Sequence, residues 1–247
     1  MLAAGWDVVI ADVLVKEGKE AVKELNRVAE GTGGEVTGKS WGRSVFMKCD
    51  VREEKEVAAA VERVVKEFGR LDAVVNNAGL ARPYNGPVEK LALKEWNKWI
   101  GVNLTGAFLC AKHAVAHWRK TGWSGAIVNM ASTRALQAEA ETEAYCASKA
   151  GMLGLTRALA VSLGPKVRVN AICPGWIDTR PEAVLLSSRT AAAKREKHGQ
   201  HPVGRVGRPE DIAEMVLFLL DGAKSGFVTG QSFVCDGGMT VKMVYEE

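Results

Sequence analysis

Gly125-Ala-Ile-Val-Asn-Met-Ala-Ser132 is the stretch whose reading decides the fold. Residues 125–131 are apolar, few and bounded by turn residues, the pattern of a strand buried on both faces. Leu71 to Val75 and Val167 to Cys173 repeat it. Each run ends in polar or turn residues: Ser132, then Asn76-Asn77-Ala78-Gly79, then Pro174-Gly175. Ligands of open α/β sheets sit outside the carboxyl ends of the strands, so one edge receives all three. Working outward, strands are expected at 6–12, 44–49, 71–76, 125–131, 166–173 and 231–235. Helices are expected at 17–29, 53–68, 93–119, 142–163 and 209–221. This alternation predicts an α/β fold, a parallel sheet with helices on both faces.

Thirteen residues beyond Ser132 comes Tyr145-Cys-Ala-Ser-Lys149, and Asn103 lies upstream. Tyr145 and Lys149 are four apart and share one face of a helix. A free phenol, with a pKa near ~10, is a poor proton shuttle at neutral pH. A neighbouring ammonium favours the phenolate and is expected to bring that pKa down. A serine hydroxyl beside the tyrosine can hold a carbonyl or alkoxide oxygen by hydrogen bond. These are groups for moving a proton on and off a carbinol oxygen. A Tyr-x-x-x-Lys spacing also occurs on solvated helix faces, and the strand ends around it give it weight.

With further stretches these residues make the sequence similar to the short-chain dehydrogenase/reductase family over nearly its whole length. In order they are Val8-Val-Ile-Ala-Asp12, Cys49-Asp50-Val51, Asn76 to Gly79, Val102-Asn103, Ser132, Tyr145 to Lys149, Pro174-Gly-Trp-Ile-Asp-Thr179, and Cys235-Asp-Gly-Gly238. The resemblance implies a single Rossmann-like three-layer domain. It implies an NAD(P)-dependent oxidoreductase acting on CH–OH groups, which interconverts a secondary alcohol and a ketone by hydride transfer. By the same resemblance Tyr145 is the catalytic acid/base, and Lys149 lowers its pKa and holds the nicotinamide ribose. Ser132 positions the substrate oxygen, and Asn103 sustains a water-linked proton path to Lys149. Asp50 and Val51 would flank the adenine and Asn77, Ala78 and Gly79 the adenosine. Pro174 and Gly175 would line the cofactor at a strand end, with Ile177 and Thr179 at the nicotinamide amide.

The cofactor type also follows from chemistry. An acid closing the second strand of a dinucleotide fold accepts hydrogen bonds from a ribose 2′-hydroxyl and repels a 2′-phosphate. Asp12 closes Val8 to Ala11, so NAD is expected rather than NADP; Lys16, four residues on, is a charge that softens the preference. A 3-oxoacyl thioester (acyl-carrier-protein) reductase shares every motif named, and its usual NADPH is what Asp12 argues against.

One element of the family is absent. A first strand, a Thr-Gly-x-x-x-Gly-x-Gly turn and an opening helix are expected before residue 5. The chain begins Met1-Leu-Ala-Ala-Gly5, which reads as the last turn of such a helix and its glycine. The expectation is an N-terminally truncated member that lacks its first βα unit, about 25 residues. Gly31-Thr-Gly-Gly34 is no substitute, because Val36 and Thr37 stand where the patterns need glycine. That stretch also follows a helix, so it is expected to be a loop. In the strand order 3-2-1-4-5-6 the absent strand is central, which leaves the strands ending at Asp12 and Asn76 facing a gap. If the turn is genuinely lacking, a non-catalytic scaffold or binding protein is the rival reading.

At 247 residues and 47% hydrophobic content, one domain with a sizeable core is expected over 1–247. No apolar run of about 18 residues and no export signal occur, so neither a membrane span nor secretion is expected. Cysteines 49, 110, 146, 173 and 235 lack Cys-x-x-Cys spacing and fit a reducing cytoplasm rather than a disulfide framework. Cys146 is expected to face away from Tyr145. The net charge of +4 is dispersed, and the densest basic cluster, Lys194 to His198, is interrupted by an acid. It has no aromatic platforms, so nucleic acid is not an expected partner. His113 and His117 lack a third ligand at metal spacing, so no metal site is expected. Residues 177–207 break the pattern and are expected to form a substrate lid, with Trp176, Arg180 and Arg205 as candidates for substrate contact. The family is commonly tetrameric or dimeric through the helices carrying Asn103 and Tyr145. Trp96, Ile100, Leu104, Phe108 and Ala111 form the stripe that core and interface would share here, so a homo-oligomer is expected.

Overall fold

In the computed structural model, which describes residues 1–31, 35–36, 39–81, 83–179 and 199–243, the run that begins at Gly125 is strand β6 (Gly125–Met130). It pairs in parallel with β5 (Ala73–Asn76) and with β7 (Val167–Pro174), and β7 pairs with β8 (Ser232–Cys235). Successive side chains of a strand point to opposite faces, and both faces of β6 are covered. Ile127 packs with Trp118, Ala160, Leu163 and Val169; Val128 packs with Ile172, Val216 and Leu219. The first face lies under α4 (Gly106–Thr121) and α5 (Glu143–Leu163), the second under α6 (Pro209–Leu220). Burying each such side chain contributes about 1.5–3 kcal/mol, so the three layers are a direct consequence of an uninterrupted apolar strand.

Two buried polar residues lock this register. Asn76 Nδ2 donates to Asn129 Oδ1 at 2.8 Å, and Asn129 Nδ2 donates to Thr156 Oγ1 at 2.8 Å, linking β5, β6 and α5. Buried amides so satisfied specify one alignment, because a slipped register would leave them unpaired.

A second parallel piece consists of β1 (Val8–Asp12) and β4 (Ser44–Lys48), flanked by α1 (Val15–Gly31) and α2 (Glu54–Phe68). Among the described residues β1 pairs only with β4 and β5 only with β6, as expected of two strands that face a gap.

Two expectations differ from the structure, and a third falls largely outside the described residues. The helix expected over 93–119 is α3 (Leu93–Ile100), a π-helical turn (Gly101–Thr105) and α4. Gly106 explains part of the break: a Cβ there would stand 2.6 Å from Val51 Cγ2, so the chain passes the end of β4 closer than any side chain allows. Where only a loop was expected after Gly31, β2 (Glu35–Val36) and β3 (Lys39–Ser40) form a short antiparallel pair; residues 32–34 lie outside the described residues. Of the expected lid at 177–207, residues 180–198 lie outside the described residues, and Arg180 and the cluster 194–198 with them. Its two ends are joined by a bridge between Ile177 and Gly207, with Asp178 N–H donating to Gly207 O at 2.9 Å.

Among the described residues no helix is long and apolar enough to cross a membrane, and no three His, Cys, Asp or Glu side chains gather as metal ligands. His113 Nε2 lies 3.1 Å from Glu54 Oε1.

Candidate active site

Ser132 leaves β6 in extended backbone, and its Oγ accepts from Arg134 N–H at 3.1 Å, starting the 3-10 turn Thr133–Ala135. Tyr145 and Lys149 rise from the first turns of α5 on one face. The Tyr145 ring stands edge-on to Trp99, centroids 5.6 Å apart at 81°, and Ser132 lies near enough to its hydroxyl to act on its pKa. Lys149 Nζ lies 5.8 Å from the centre of that ring. Lys149 is 5% exposed and donates to Met130 O at 2.7 Å. Burial lowers its pKa from 10.5 to about 8.

The direction at Tyr145 corrects the expectation. Burial raises its pKa, opposed by the Ser132 hydroxyl and by the charge of Arg134. Lys149 points at the Met130 carbonyl instead, so in this arrangement the ammonium is not what acts on the phenol.

Asn103 is buried in the π turn, and both ends of its amide are engaged. Oδ1 accepts from Leu80 N–H at 2.8 Å; Nδ2 donates to Ser148 Oγ at 3.0 Å, and Ser148 Oγ donates to Tyr145 O at 2.7 Å. The side chain thus ties the loop after β5 to the helix that carries Tyr145.

The nucleoside-binding candidates lie at strand ends. Asp12 is exposed at the end of β1, with Oδ1 accepting from Leu14 N–H at 2.9 Å. Arg52 holds the Asp50 carboxyl below its usual range through contacts of 2.6–3.2 Å, and Val51 packs at Gly106. Asn77, Ala78 and Gly79 are exposed beyond β5. A Cβ on Gly79 would sit 3.4 Å from Asn103 Oδ1 and 3.6 Å from Lys149 Nζ, so the missing side chain leaves room between that backbone and the lysine. Pro174 ends β7; Gly175 N–H donates to Cys235 O at 3.0 Å, and a Cβ there would meet Asp236 Cβ at 2.7 Å. Ile177 is half-buried and Thr179 exposed.

These residues fit the two nucleoside ends of a nicotinamide dinucleotide, with an acid at two adjacent strand ends and an open glycine beside a buried lysine. The pyrophosphate is not matched in the same way: the turn from β1 to α1, Asp12-Val13-Leu14, contains no glycine. A groove of about 370 Å³ lined by Phe46, Met47, Ala59, Glu62, Arg63 and Lys66 touches none of the site residues.

Several members of this site were not named from sequence: Trp99 against Tyr145, Ser148 under Asn103, the Met130 carbonyl on Lys149, and Arg134 with Glu139 and Tyr84. A signal existed for one of them, Arg134, as an arginine two residues after a strand-end serine. Cys146 Sγ lies 3.2 Å from Thr142 Oγ1.

An α/β sheet that presents a hydroxyl, a half-buried phenol and a buried ammonium at its carboxyl edge has the equipment of an oxidoreductase acting on an alcohol or carbonyl. The family described as enoyl-(acyl carrier protein) reductase matches residues 1–240. An uncharacterized oxidoreductase of Thermotoga maritima is 41% identical over 98% of this chain and 90% of its own length. Cis-4-hydroxycyclohexanecarboxylate dehydrogenase of Sinomonas cyclohexanicum is 37% identical over 96% of this chain and 93% of its own. The solved structure of ElxO with NADP bound superposes with a TM-score of 0.82 at 28% identity, covering 98% of this chain and 91% of that one. This chain belongs to the short-chain dehydrogenase/reductase family and is an oxidoreductase acting on CH–OH groups.

Proposed function

We propose that this enzyme interconverts a secondary alcohol and a ketone with NAD, Tyr145 exchanging the hydroxyl proton. A bound nicotinamide supplies the acceptor or donor of the hydride. The observation that carries the reading is the Tyr145 hydroxyl close to Ser132, on the helix face that also bears the buried Lys149. A carbinol oxygen between the two hydroxyls accepts from Ser132 Oγ and exchanges its proton with Tyr145 Oη. Burial keeps the phenol protonated at neutral pH, ready to act as acid in ketone reduction. In the oxidative direction a cation must favour the phenolate, and Lys149 and Arg134 are the two nearby. Lys149 would hold the nicotinamide ribose, and Asn103 would steady the proton path towards it. Asp12, Asp50, Val51 and Asn77 to Gly79 would hold the adenosine half, Pro174, Gly175, Ile177 and Thr179 the nicotinamide half.

NAD is favoured because Asp12 lies exposed at the strand end, where a 2′-phosphate would meet its charge. The Sinomonas relative, named for a hydroxy acid, supports an alcohol substrate. Reduction of the keto group of a 3-oxoacyl thioester with NADPH is the second reading, favoured by the acyl-carrier-protein substrate in the description of the matching family and by the NADP-bound neighbour. We further read residues 1–247 as one domain with 177–207 as its lid, supported by the joined ends of that segment. A cytoplasmic homo-oligomer completes the reading, with exposed Phe108 and Val161 on α4 and α5 as interface candidates.

Tyr145→Phe tests the mechanism: kcat should fall by about 10²–10⁴ while NAD affinity, followed by titration, holds. Near-normal turnover removes Tyr145 from the chemistry. Asp12→Ala should lower kcat/KM for NAD and raise it for NADP; a wild-type preference for NADPH overturns the NAD assignment.

A further inference from the structure

We propose that Arg134 reads a second functional group on the substrate, and that the alcohols this enzyme takes carry a carboxylate. The inference rests on the reading above, because it takes Ser132 and Tyr145 as the place of the carbinol. Arg134 lies two residues past Ser132, its backbone N–H held on Ser132 Oγ at 3.1 Å, and both residues lie close enough to Tyr145 to act on its hydroxyl. The guanidinium therefore springs from the rim of the reacting position. Its side chain is 24% exposed, a partly desolvated cation. Among the described residues its acidic partner is Glu139, which is 47% exposed and also accepts from the Tyr84 hydroxyl.

That partner is exchangeable. An ion pair with one half-exposed member contributes little to stability, and a substrate carboxylate matches the guanidinium fork with two parallel N–H···O bonds. Tyr84 and Arg134 hold the Glu139 carboxyl below its usual range, so it is charged at neutral pH and competes for the arginine. Tyr84 comes from the loop after β5 and Glu139 from the loop before α5, so the trio also ties together two loops that flank the site. Glu139 and Glu141 lie in the loop before α5 and Glu143 opens that helix, where it is engaged by Asn85 Nδ2 at 2.9 Å. These acids give no long-range attraction for an anion. Selection has to arise from contact with Arg134, where Glu139 yields its place to the substrate.

The test compares the wild type with Arg134→Gln, Arg134→Lys and Glu139→Gln. Binding of cyclohexanecarboxylate, which lacks the reacting hydroxyl, is read by titration calorimetry or NMR without turnover. Arg134→Gln should weaken that binding about tenfold or more relative to cyclohexanol, and Arg134→Lys should recover part of it. Glu139→Gln should tighten it, since it removes the competing anion. A merely structural bridge predicts the opposite sign for Glu139→Gln, with both ends of the bridge losing affinity alike. Carboxylate binding that ignores Arg134→Gln overturns the proposal, as does a Glu139→Gln variant that weakens. A wild-type preference for trans-4-aminocyclohexanol over 4-hydroxycyclohexanecarboxylate also overturns it and gives the acids the recognising role. Because binding is read separately, failure to oxidise any alcohol would sink the dehydrogenase reading without deciding the role of Arg134.

Discussion

Lys149 carries its charge in a place that does not favour one. It is 5% exposed, its nearest polar partner is the neutral Met130 carbonyl, and burial brings it from 10.5 to about 8. The difference corresponds to roughly 3 kcal/mol of penalty on the charged form. Below pH 8 the native and unfolded chains both hold the proton, and the native state bears the full penalty. Between about 8 and 10.5 the native lysine has lost its proton while the unfolded one keeps it, so this group makes stability rise with pH across that window. Lys149→Met should therefore raise stability at pH 7 by about 1–3 kcal/mol while abolishing turnover, and the gain should shrink towards pH 10. Denaturant midpoints at the two pH values check it, and an equal gain at both would remove the burial argument. A residue retained against stability in this way is what a functional site leads one to expect.

At the scale of elements, the joint between α3, the π turn and α4 aims Asn103. In a continuous helix this side chain would follow the ordinary 100° rotation per residue. The extra residue of a π turn shifts it, and here its amide spans Leu80 N–H on one side and Ser148 Oγ on the other. Asn103→Ala should cost about 1–3 kcal/mol by leaving the Leu80 N–H unpaired. It should also speed exchange of that amide at least tenfold in an NMR hydrogen-exchange series; unchanged Leu80 protection would mean the tie is not used. The strands and helices around this joint were legible in the sequence because short apolar runs bounded by turn residues leave little choice of structure. The joint was not, since Gly101 and Gly106 also suit an ordinary helix, and only the passage of Gly106 against Val51 shows what they are for. The site was legible in part for a related reason. Motif spacing placed Ser132, Tyr145 and Lys149 together, whereas the Trp99–Tyr145 contact and the Arg134–Glu139 pair depend on the paths of loops. The raised pKa of Tyr145 depends on burial, which no spacing reveals.

At the scale of the whole molecule, the parallel sheet is divided, and its halves are not equally supported. β6 and β7 each have neighbours on both sides, and the two larger apolar clusters, around Ile127 and Val128, enclose them. Among the described residues β1 has one neighbour, its own residues are half-buried or exposed, and the cluster near its partner β4 is a small one built on Cys49, Val57 and Leu109. Backbone groups along a strand edge without a neighbour exchange with water more readily, and units with little buried apolar surface open at lower free energy than the global transition. Asp12 and Asp50, the candidates for the adenosine, belong to the weaker half; Ser132, Tyr145 and Lys149 belong to the stronger one. Amides of Val8 to Asp12 and Ser44 to Lys48 should therefore exchange at least about tenfold faster than those of Ile127 to Asn129 and Val169 to Ile172. NAD, if it binds across both halves, should slow the first set more than the second. Equal protection of the two sets without cofactor would show the halves to be one cooperative unit. A cofactor effect confined to β6 and β7 would separate Asp12 from the binding site.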